Sequence, residues 1–340
     1  MRCWNDSDCE DRTSVPRDAL EVGQLESYAV RPVVATCPIH QSPVSVEFRL
    51  TKDGYDLYLC GECNHLFVHP APTDEALRAL YTFAQGYHCP DSQAPKEKMI
   101  GGVPKRFVDA LRAIENARGP GSILDVGCST GRFLEAARVR GWAALGVEMN
   151  AESAELARRG GHEVITGTID SLDPRKRQFD AVHIAEVIEH VREPKEMLAS
   201  AQRLLKPGGV LYLTTPNSDA FFARSTWMLY RLFRIPWSHA TPPHHLHQFS
   251  TASLARLLTD CGFNPLSFTY VAPNLRYEIG QTGVIPTFRT ALRDGISAHL
   301  LASAVKFAMT VSMYPALYAA NWIKSARSQD CCLQCLARAS

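Results

Sequence analysis

A strand that turns through glycines into a helix constrains the fold of this chain more than any other feature. Residues 123–133 read ILDVGCSTGRF, a short apolar strand ending in an acid, then a glycine-containing turn, then the start of a helical pattern. Glycine lets the backbone turn sharply and approach a ligand closely, and the following helix start offers unpaired N–H groups. In a doubly wound α/β sheet, the turn after the first strand is where a nucleotide-like ligand binds.

Strand-like and helix-like runs alternate beyond Gly119, as they do in a series of βαβ units. The alternation predicts an α/β fold with a doubly wound, mostly parallel sheet. The predicted strands are residues 122–126, 144–148, 163–166, 179–185, 210–215 and 265–270.

The remaining segments are a polar lead-in expected to be disordered, a small cysteine-containing module, connecting helices, the sheet domain with a lid-like insertion, and a C-terminal helical extension. Their predicted boundaries are, in that order, residues 1–32, 33–72, 73–118, 119–280 with the insertion at 217–243, and 281–340.

An acidic residue, Glu148, ends the second predicted strand about 20 residues after the glycine turn, where a carboxylate can accept hydrogen bonds from both ribose hydroxyls. The turn differs from the dinucleotide pattern G-x-G-x-x-G, because Gly127, Ser129 and Gly131 alternate and Asp125 precedes them. A neighbouring carboxylate adds little to the binding of a pyrophosphate, which is itself negatively charged, whereas it attracts a cationic ligand.

These residues resemble a known family. The run DVGCSTG at 125–131 is similar to the first motif of class I S-adenosylmethionine-dependent methyltransferases, usually written D-x-G-x-G-x-G. The similarity extends to Glu148, to residues 178–182 and to residues 204–209, and it covers residues 107–270. It implies a seven-stranded Rossmann-like sheet and an enzyme that uses S-adenosylmethionine.

By that resemblance, Gly127 and Gly131 shape the loop under the methionine part of the cofactor, Asp125 orients it and Glu148 holds the ribose. Ser129 replaces the usual middle glycine with a small side chain. The cofactor-binding residues expected on this basis are Asp125, Gly127, Cys128, Ser129, Gly131, Glu148, Met149, Thr168, Ile169, Asp170, Ala185 and Glu186.

Histidines provide the candidate catalytic groups, because methyl transfer to a hydroxyl requires an aligned nucleophile and a base. Residues 186–191, EVIEHV, resemble the E-V-[IL]-E-H-[VI] run of small-molecule methyltransferases such as the ubiquinone-pathway O-methyltransferases, which makes Glu189 and His190 candidates. Residues 241–250 are similar to a P-x-H-L-x-x-F-S segment of this group and add His245 as base or orienter. The alternatives are a helix-start histidine bonded to backbone at His190 and a merely rigid loop at His245.

Two ligand pairs flank the predicted hairpin of the small module. Cys37 and His40, and Cys60 and Cys63, each stand three positions apart, which favours one tetrahedral structural Zn²⁺. The segment resembles a zinc ribbon that precedes many methyltransferase domains, including sugar C-methyltransferases, although those usually carry four cysteines. The alternative is a set of buried cysteines without metal.

Composition limits the kinds of binding partner and the cellular compartment that the sequence predicts. The 36 Lys+Arg nearly balance the 35 Asp+Glu, which argues against a nucleic-acid partner. The first residues lack the charged and apolar regions of a signal peptide, so a cytoplasmic location is expected and the eleven cysteines are not interpreted as disulfides.

The most apolar stretch, residues 296–323, contains Lys306 and Pro315 and is a poor membrane-spanning helix. Its narrow polar stripe fits a helix packed on the core or on a second copy, and equally one lying peripherally at a membrane surface. The stripe consists of His299, Ser303, Lys306 and Thr310.

The function predicted from these features is methyl transfer from S-adenosylmethionine to a small acceptor, with O-methylation of a sugar, lipid-linked intermediate or secondary metabolite favoured. Two alternatives remain. One is an RNA methyltransferase that grips its substrate with the ribbon, although that segment has few cations, mainly Arg49 and Lys52. The other is a non-catalytic adaptor that retains the fold.

Overall fold

Two β-sheets organise the chain. The computed structural model describes residues 33–81, 99–100, 102–271, 275, 279–280, 282, 284–293, 298–325 and 332–340. The predicted lead-in at residues 1–32 lies outside the described residues.

The secondary-structure elements are named in chain order. The strands are β1 (Val33–Thr36), β2 (Pro43–Lys52), β3 (Tyr55–Cys60), β4 (Leu66–Val68), β5 (Met99–Ile100), β6 (Val103–Pro104), β7 (Ser122–Val126), β8 (Ala143–Glu148), β9 (Glu163–Thr166), β10 (Phe179–Ala185), β11 (Leu205–Pro216), β12 (His247–Gln248), β13 (Phe263–Val271) and β14 (Cys332–Ala339). The helices are α1 (Asp74–Leu80), α2 (Lys105–Ala117), α3 (Arg132–Val139), α4 (Ala151–Arg159), α5 (Pro194–Leu204), α6 (Phe221–Phe233), α7 (Thr251–Asp260), α8 (Val284–Arg293) and α9 (Ala298–Ser325).

The larger sheet has seven strands in the order β13-β14-β11-β10-β7-β8-β9. The pairings β7–β8, β8–β9, β7–β10 and β10–β11 are parallel, whereas β14 runs antiparallel to both β11 and β13. The predicted α/β, doubly wound, mostly parallel fold is confirmed. Strand order reverses between β7 and β10, so the crevice at their carboxyl ends is where such a sheet binds ligands.

Local capping chemistry starts the helices that flank this crevice. The side chain of Asn150 accepts the N–H of Ser153 at 2.7 Å and begins α4 directly after β8. Ser250 and Ser253 form a capping box at the start of α7, as the predicted Ser250 cap requires.

A partly buried carboxylate, that of Asp180, fastens the opposite end of the sheet. Asp180 of β10 accepts hydrogen bonds from Arg118 at 2.6 Å, from Lys206 at 2.7 Å and from the backbone N–H of Ser122 at 2.9 Å. Burial raises the pKa of Asp180, but the hydrogen bonds from Lys206, Ser122 and Arg118 outweigh it, so the net pKa lies well below the usual range. The starts of β7, β10 and β11 are thereby tied together.

The end of the chain differs from the predicted C-terminal helical extension at 281–340. In the described part of this range the helices are α8 and α9, and residues Cys332–Ala339 form β14 between β11 and β13. The side chains of Leu333, Cys335 and Ala337 alternate inward along this strand. Its period-two pattern is short and contains cysteines, and the sequence analysis assigns no strand to it.

The smaller sheet has the order β1-β2-β3-β4-β12. Its first four strands form the predicted cysteine-containing module, but β12 comes from residues that follow the insertion. Buried side chains of this module, such as Ile39 and Phe67, belong to the same hydrophobic core as Leu124 and Phe249. The module therefore packs as part of the larger domain.

Helix α9 packs through Tyr314, which is fully buried against Phe222 of α6 at a ring distance of 5.6 Å. The predicted polar stripe faces inward at Ser303 and Thr310, both buried, whereas Val305 and Val311 are exposed. Within the part of the chain that the structure describes, no helix is long and apolar enough to cross a membrane.

Candidate active site

The glycine turn after β7 has the backbone conformation that its sequence predicts. Gly127 has a φ of +76°, and a Cβ built there would lie 2.6 Å from a methyl carbon of Val187. Its N–H donates to the carbonyl of Val147 at 2.8 Å, which ties the turn to β8. Gly131, with a φ of +84°, precedes α3, while Ser129 occupies the left-handed region at +50°. The turn thus has no room for a side chain at Gly127.

Glu148 at the end of β8 closes one side of this turn. Its two carboxylate oxygens accept the backbone N–H groups of Ser129 and Asn150, each at 2.8 Å. Burial raises the pKa of Glu148, and the hydrogen bonds from Asn150 and Ser129 oppose that rise. A carboxylate has about four acceptor positions, so about two remain for the hydroxyls of a ligand.

Asp125 lies beside the turn with a buried partner that the sequence analysis missed. The Nδ1 of His183 lies 2.7 Å from the Oδ1 of Asp125, and the ring of Phe133 stacks on His183 with centroids 3.7 Å apart. Because an ionised carboxylate only accepts, Nδ1 of His183 carries the proton. His183 is opposite Asp125 in the β10–β7 register, a pairing that becomes visible only in the sheet.

A single cleft of about 1390 Å³ collects most of the predicted cofactor residues. Those that line it are Asp125, Gly127, Cys128, Ser129, Glu148, Met149, Thr168, Ile169, Asp170, Ala185 and Glu186. Gly131 lies outside the lining, at the start of α3. The cleft continues to the end of β14, where Cys332 and Gln334 contribute to its wall.

His190 lines the same cleft with one ring nitrogen fixed by the backbone. Its Nδ1 lies 2.7 Å from the carbonyl oxygen of His244 and 2.9 Å from the hydroxyl of Tyr81. A carbonyl oxygen only accepts, so Nδ1 carries the proton of the neutral ring and Nε2 holds the lone pair. The carbonyl of Tyr81 accepts the side-chain N–H of Asn150 at 2.7 Å, which joins this end of the cleft to the Glu148 end.

Glu189 and His245 lie behind His190 and do not line the cleft. Glu189 is fully buried, accepts the hydroxyl of Thr215 at 3.0 Å, and places its other oxygen 3.7 Å from Nε2 of His190. Burial raises the pKa of Glu189 well above the usual range, and burial lowers that of His245. Of the three predicted catalytic residues, His190 alone lines the cleft.

The cysteine-containing module brings its four predicted ligands together. Cys37, His40, Cys60 and Cys63 place their ligand atoms within 4.8 Å of one another. The sulfurs of Cys37 and Cys63 are 3.8 Å apart, which is close to the separation of about 3.8 Å expected for two thiolates bound to one tetrahedral zinc at about 2.3 Å. The buried Nε2 of His40 makes no hydrogen bond to the described residues, which also fits a missing ligand bond. The donor set suits Zn²⁺.

The family follows from the sheet domain and its cleft. Residues 98–267, which are 170 of the 340 residues, match the family model described as "Methyltransferase domain". The chain belongs to this methyltransferase family.

Known methyltransferases resemble parts of the chain. It is 33% identical over 125 residues to the ubiquinone biosynthesis O-methyltransferase of Vibrio atlanticus, covering 34% of this chain and 52% of that protein. The enzyme of the same name from Xanthomonas oryzae pv. oryzae is 32% identical over 143 residues, with coverages of 39% and 58%. The chain thus spans about half the length of the curated relatives it matches.

A solved structure, the 1,6-didemethyltoxoflavin-N1-methyltransferase of Burkholderia thailandensis, is similar over 86% of this chain and 99% of that chain, with 16% identity and a TM-score of 0.48.

Two side chains of the methyltransferase cleft were outside the sequence-based set. His183 carried a weak signal, a histidine within an otherwise apolar strand. Tyr81, which ends α1 and contacts His190, stands in the segment that the sequence predicts only to be connecting helices. Neither contact is local in sequence, so only the tertiary arrangement identifies them.

Proposed function

We propose that this protein transfers a methyl group from S-adenosylmethionine to an oxygen of a small acceptor bound in the cleft. The observation that carries the proposal is the pairing of two features in one cleft. At one end, the glycine turn lies between the carboxylates of Asp125 and Glu148; at the other, His190 has its proton fixed on Nδ1.

The carboxylate end suits a cationic nucleoside. Glu148 keeps acceptor positions for a ribose diol, and Asp125, held by His183, offers a negative charge to the cationic methionine portion. Gly127 allows the ligand to lie against bare backbone. Thr168, Ile169 and Asp170, beyond β9, border the adenine in this proposal, and Ala185 and Glu186 border the methionine end.

When bound, S-adenosylmethionine supplies an electrophilic methyl group on a positively charged sulfur. His190 orients the acceptor hydroxyl and takes its proton on Nε2 as the oxygen–carbon bond forms and the carbon–sulfur bond breaks. The hydrogen bond from Nδ1 to the carbonyl of His244 stabilises the resulting imidazolium ring. Buried Glu189, whose carboxyl lies 3.7 Å from Nε2, packs behind the ring.

The acceptor proposed is a small molecule, a sugar, lipid-linked intermediate or secondary metabolite. Oxygen is favoured because two of the curated relatives that match the chain are named O-methyltransferases. The wall formed by Cys332 and Gln334 is positioned to contact it.

The test is calorimetric titration with S-adenosylhomocysteine, followed by a screen of sugars, phenols and lipid-linked hydroxyl compounds for S-adenosylhomocysteine formation. His190→Gln is expected to keep cofactor binding and lose at least a hundredfold in turnover, since general-base catalysis contributes about 10²–10⁴-fold. The control His69→Gln, in the small sheet, is expected to behave as wild type. Failure of folded wild-type protein to bind S-adenosylhomocysteine would refute the enzyme proposal and favour an adaptor.

We also propose that Cys37, His40, Cys60 and Cys63 hold one structural Zn²⁺. It supplies no step of the reaction and stabilises a module whose own core is small. Purified protein is expected to contain about one zinc, and Cys60→Ser to lose it with a lower melting temperature. A fully folded wild-type protein without zinc, unchanged by chelator, contradicts this.

The exposed face of α9 is proposed to contact a membrane surface peripherally. Val305 and Val311 are 52% and 41% exposed, and apolar side chains presented on one helix suit contact with a lipid surface. Sedimentation with phosphatidylglycerol vesicles tests this, with Val305→Ser expected to reduce binding. Absence of binding together with a dimer in light scattering assigns the face to a second copy instead.

A further inference from the structure

The small sheet does not end within the cysteine-containing module. Strand β4 pairs with β12, with His247 opposite Phe67 and Gln248 opposite Leu66. The N–H of Val68 also donates to the carbonyl of Leu246 at 2.9 Å. Residues 244–248, here called the clamp segment, therefore contain an added strand of the module.

The clamp segment also holds the backbone that carries His190. The N–H groups of Leu246 and His247 donate to the carbonyl of Glu189 at 2.8 and 3.2 Å. One residue later, Nδ1 of His190 donates to the carbonyl of His244 at 2.7 Å. The same five residues thus bond to the module on one side and to the active-site loop on the other.

A pair of buried histidines adds a side-chain connection. Nε2 of His247 lies 2.8 Å from the carbonyl of Val191, and Nδ1 of His247 lies 3.1 Å from Nε2 of His65. Since the carbonyl only accepts, His247 carries its proton on Nε2, and His65 donates to its Nδ1. His65 is 0% exposed and His247 is 3% exposed, and their rings stack with centroids 5.2 Å apart. His65 follows the ligand pair of Cys60 and Cys63.

These contacts bond three consecutive residues, 189, 190 and 191, to one clamp segment. We propose that His65 and His247 are positioning residues, which hold the loop so that His190 keeps its Nδ1–H tautomer against the carbonyl of His244. The module then supports the active-site loop from outside the cleft. The catalytic meaning of this positioning rests on the proposed role of His190 as base.

The consequence for catalysis is specific. If Val191 loses its hydrogen bond, the loop shifts relative to the clamp segment, and the ring of His190 is free to place its proton on either nitrogen. A proton on Nε2 removes the lone pair that accepts the substrate proton. The glycine turn and Glu148 are untouched, so cofactor affinity is unchanged.

The experiment measures the His190 tautomer in full-length protein by long-range ¹H–¹⁵N NMR after histidine-selective labelling, with His190→Gln to assign its signals among the twelve histidines. In wild type the proton is expected on Nδ1. In His247→Leu the Nδ1–H fraction is expected to fall at least twofold. His247→Gln, whose amide can still donate to the carbonyl of Val191, is expected to restore it.

The matched control is His239→Leu, since His239 is also buried, at 7% exposure. It is expected to leave the His190 signals unchanged. His65→Leu is expected to act in the same direction as His247→Leu. Should a leucine variant fail to fold, His247→Asn against His247→Gln replaces it, because asparagine is too short to reach Val191.

An unchanged His190 tautomer in folded His247→Leu and His65→Leu, or in His247→Asn where the leucine variants do not fold, overturns the proposal. Titration with S-adenosylhomocysteine separates this from failure of the proposed function. Wild-type protein that does not bind it refutes the methyltransferase activity, whereas the tautomer measurement still decides the positioning.

Discussion

Replacement of Glu148 by glutamine tests the ribose contact with little change of shape. The carboxylate accepts the N–H groups of Ser129 and Asn150 at 2.8 Å and keeps about two acceptor positions for the ribose hydroxyls. Hydrogen bonds to a charged group contribute about 1.5–3 kcal/mol, against about 0.5–1.5 kcal/mol for neutral ones. Replacing the two charged hydrogen bonds to the ribose by neutral ones therefore costs about 2–3 kcal/mol of binding free energy. S-adenosylhomocysteine should therefore bind roughly 30- to 140-fold more weakly, at about 1.4 kcal/mol per tenfold.

The assay is isothermal titration calorimetry at pH 8, with urea unfolding to verify that each variant is folded. Glu152→Gln is the matched control, because it removes the same charge from an exposed position in the first turn of α4. Its dissociation constant is expected to stay within about twofold of wild type. A loss below about threefold in folded Glu148→Gln would refute the assignment of the ribose to this carboxylate.

The same group predicts a pH dependence. Burial raises the pKa of Glu148 above its ordinary value of 4.5, so the folded protein holds this proton more tightly than the unfolded chain. Its contribution to the free energy of unfolding is therefore largest below pH 4.5, and it falls as the pH rises from 4.5 through the raised pKa of the folded protein. Ligand affinity changes in the opposite direction, since the ionised form binds the ribose. Both dependences should be absent in Glu148→Gln, and their persistence would assign them to another group.

Two further variants test the sheet that carries the cleft. A Cβ at Gly146 would lie 2.5 Å from the sulfur of Cys128, so Gly146→Ala should lower the free energy of unfolding by about 1–3 kcal/mol. The control is Gly119→Ala. A Cβ at Gly119 would have no described atom within 4 Å, so this variant should change the free energy of unfolding by less than about 0.5 kcal/mol. Equal effects in urea unfolding would contradict the overpacking argument. Asp180→Asn should destabilise by about 1–2 kcal/mol at pH 7 through its contacts with Arg118. Because the folded pKa of Asp180 is depressed, the difference from wild type should shrink as the pH falls below its ordinary value of 3.8, and a constant difference would rule out the ion pairs as its cause.

The predictions that held concern local chemistry. The glycine turn and the parallel strands around it depend on residues within a few positions of one another. A left-handed turn favours glycine wherever it occurs, and a βαβ alternation leaves few sheet arrangements open. The cofactor-binding set could be proposed for the same reason, since most of its members follow neighbouring strand ends.

The tertiary structure decided what depends on partners distant in sequence. Strand β14 belongs to the sheet because β11 and β13 present free edges to it, and its eight residues do not show this alone. His183 meets Asp125 through strand register, and the module reaches His190 through the β4–β12 pairing. Whether Glu189 touches a substrate or lies behind His190 depends on which segment covers it. Local sequence specifies backbone conformation, whereas burial and pairing are properties of the assembled core.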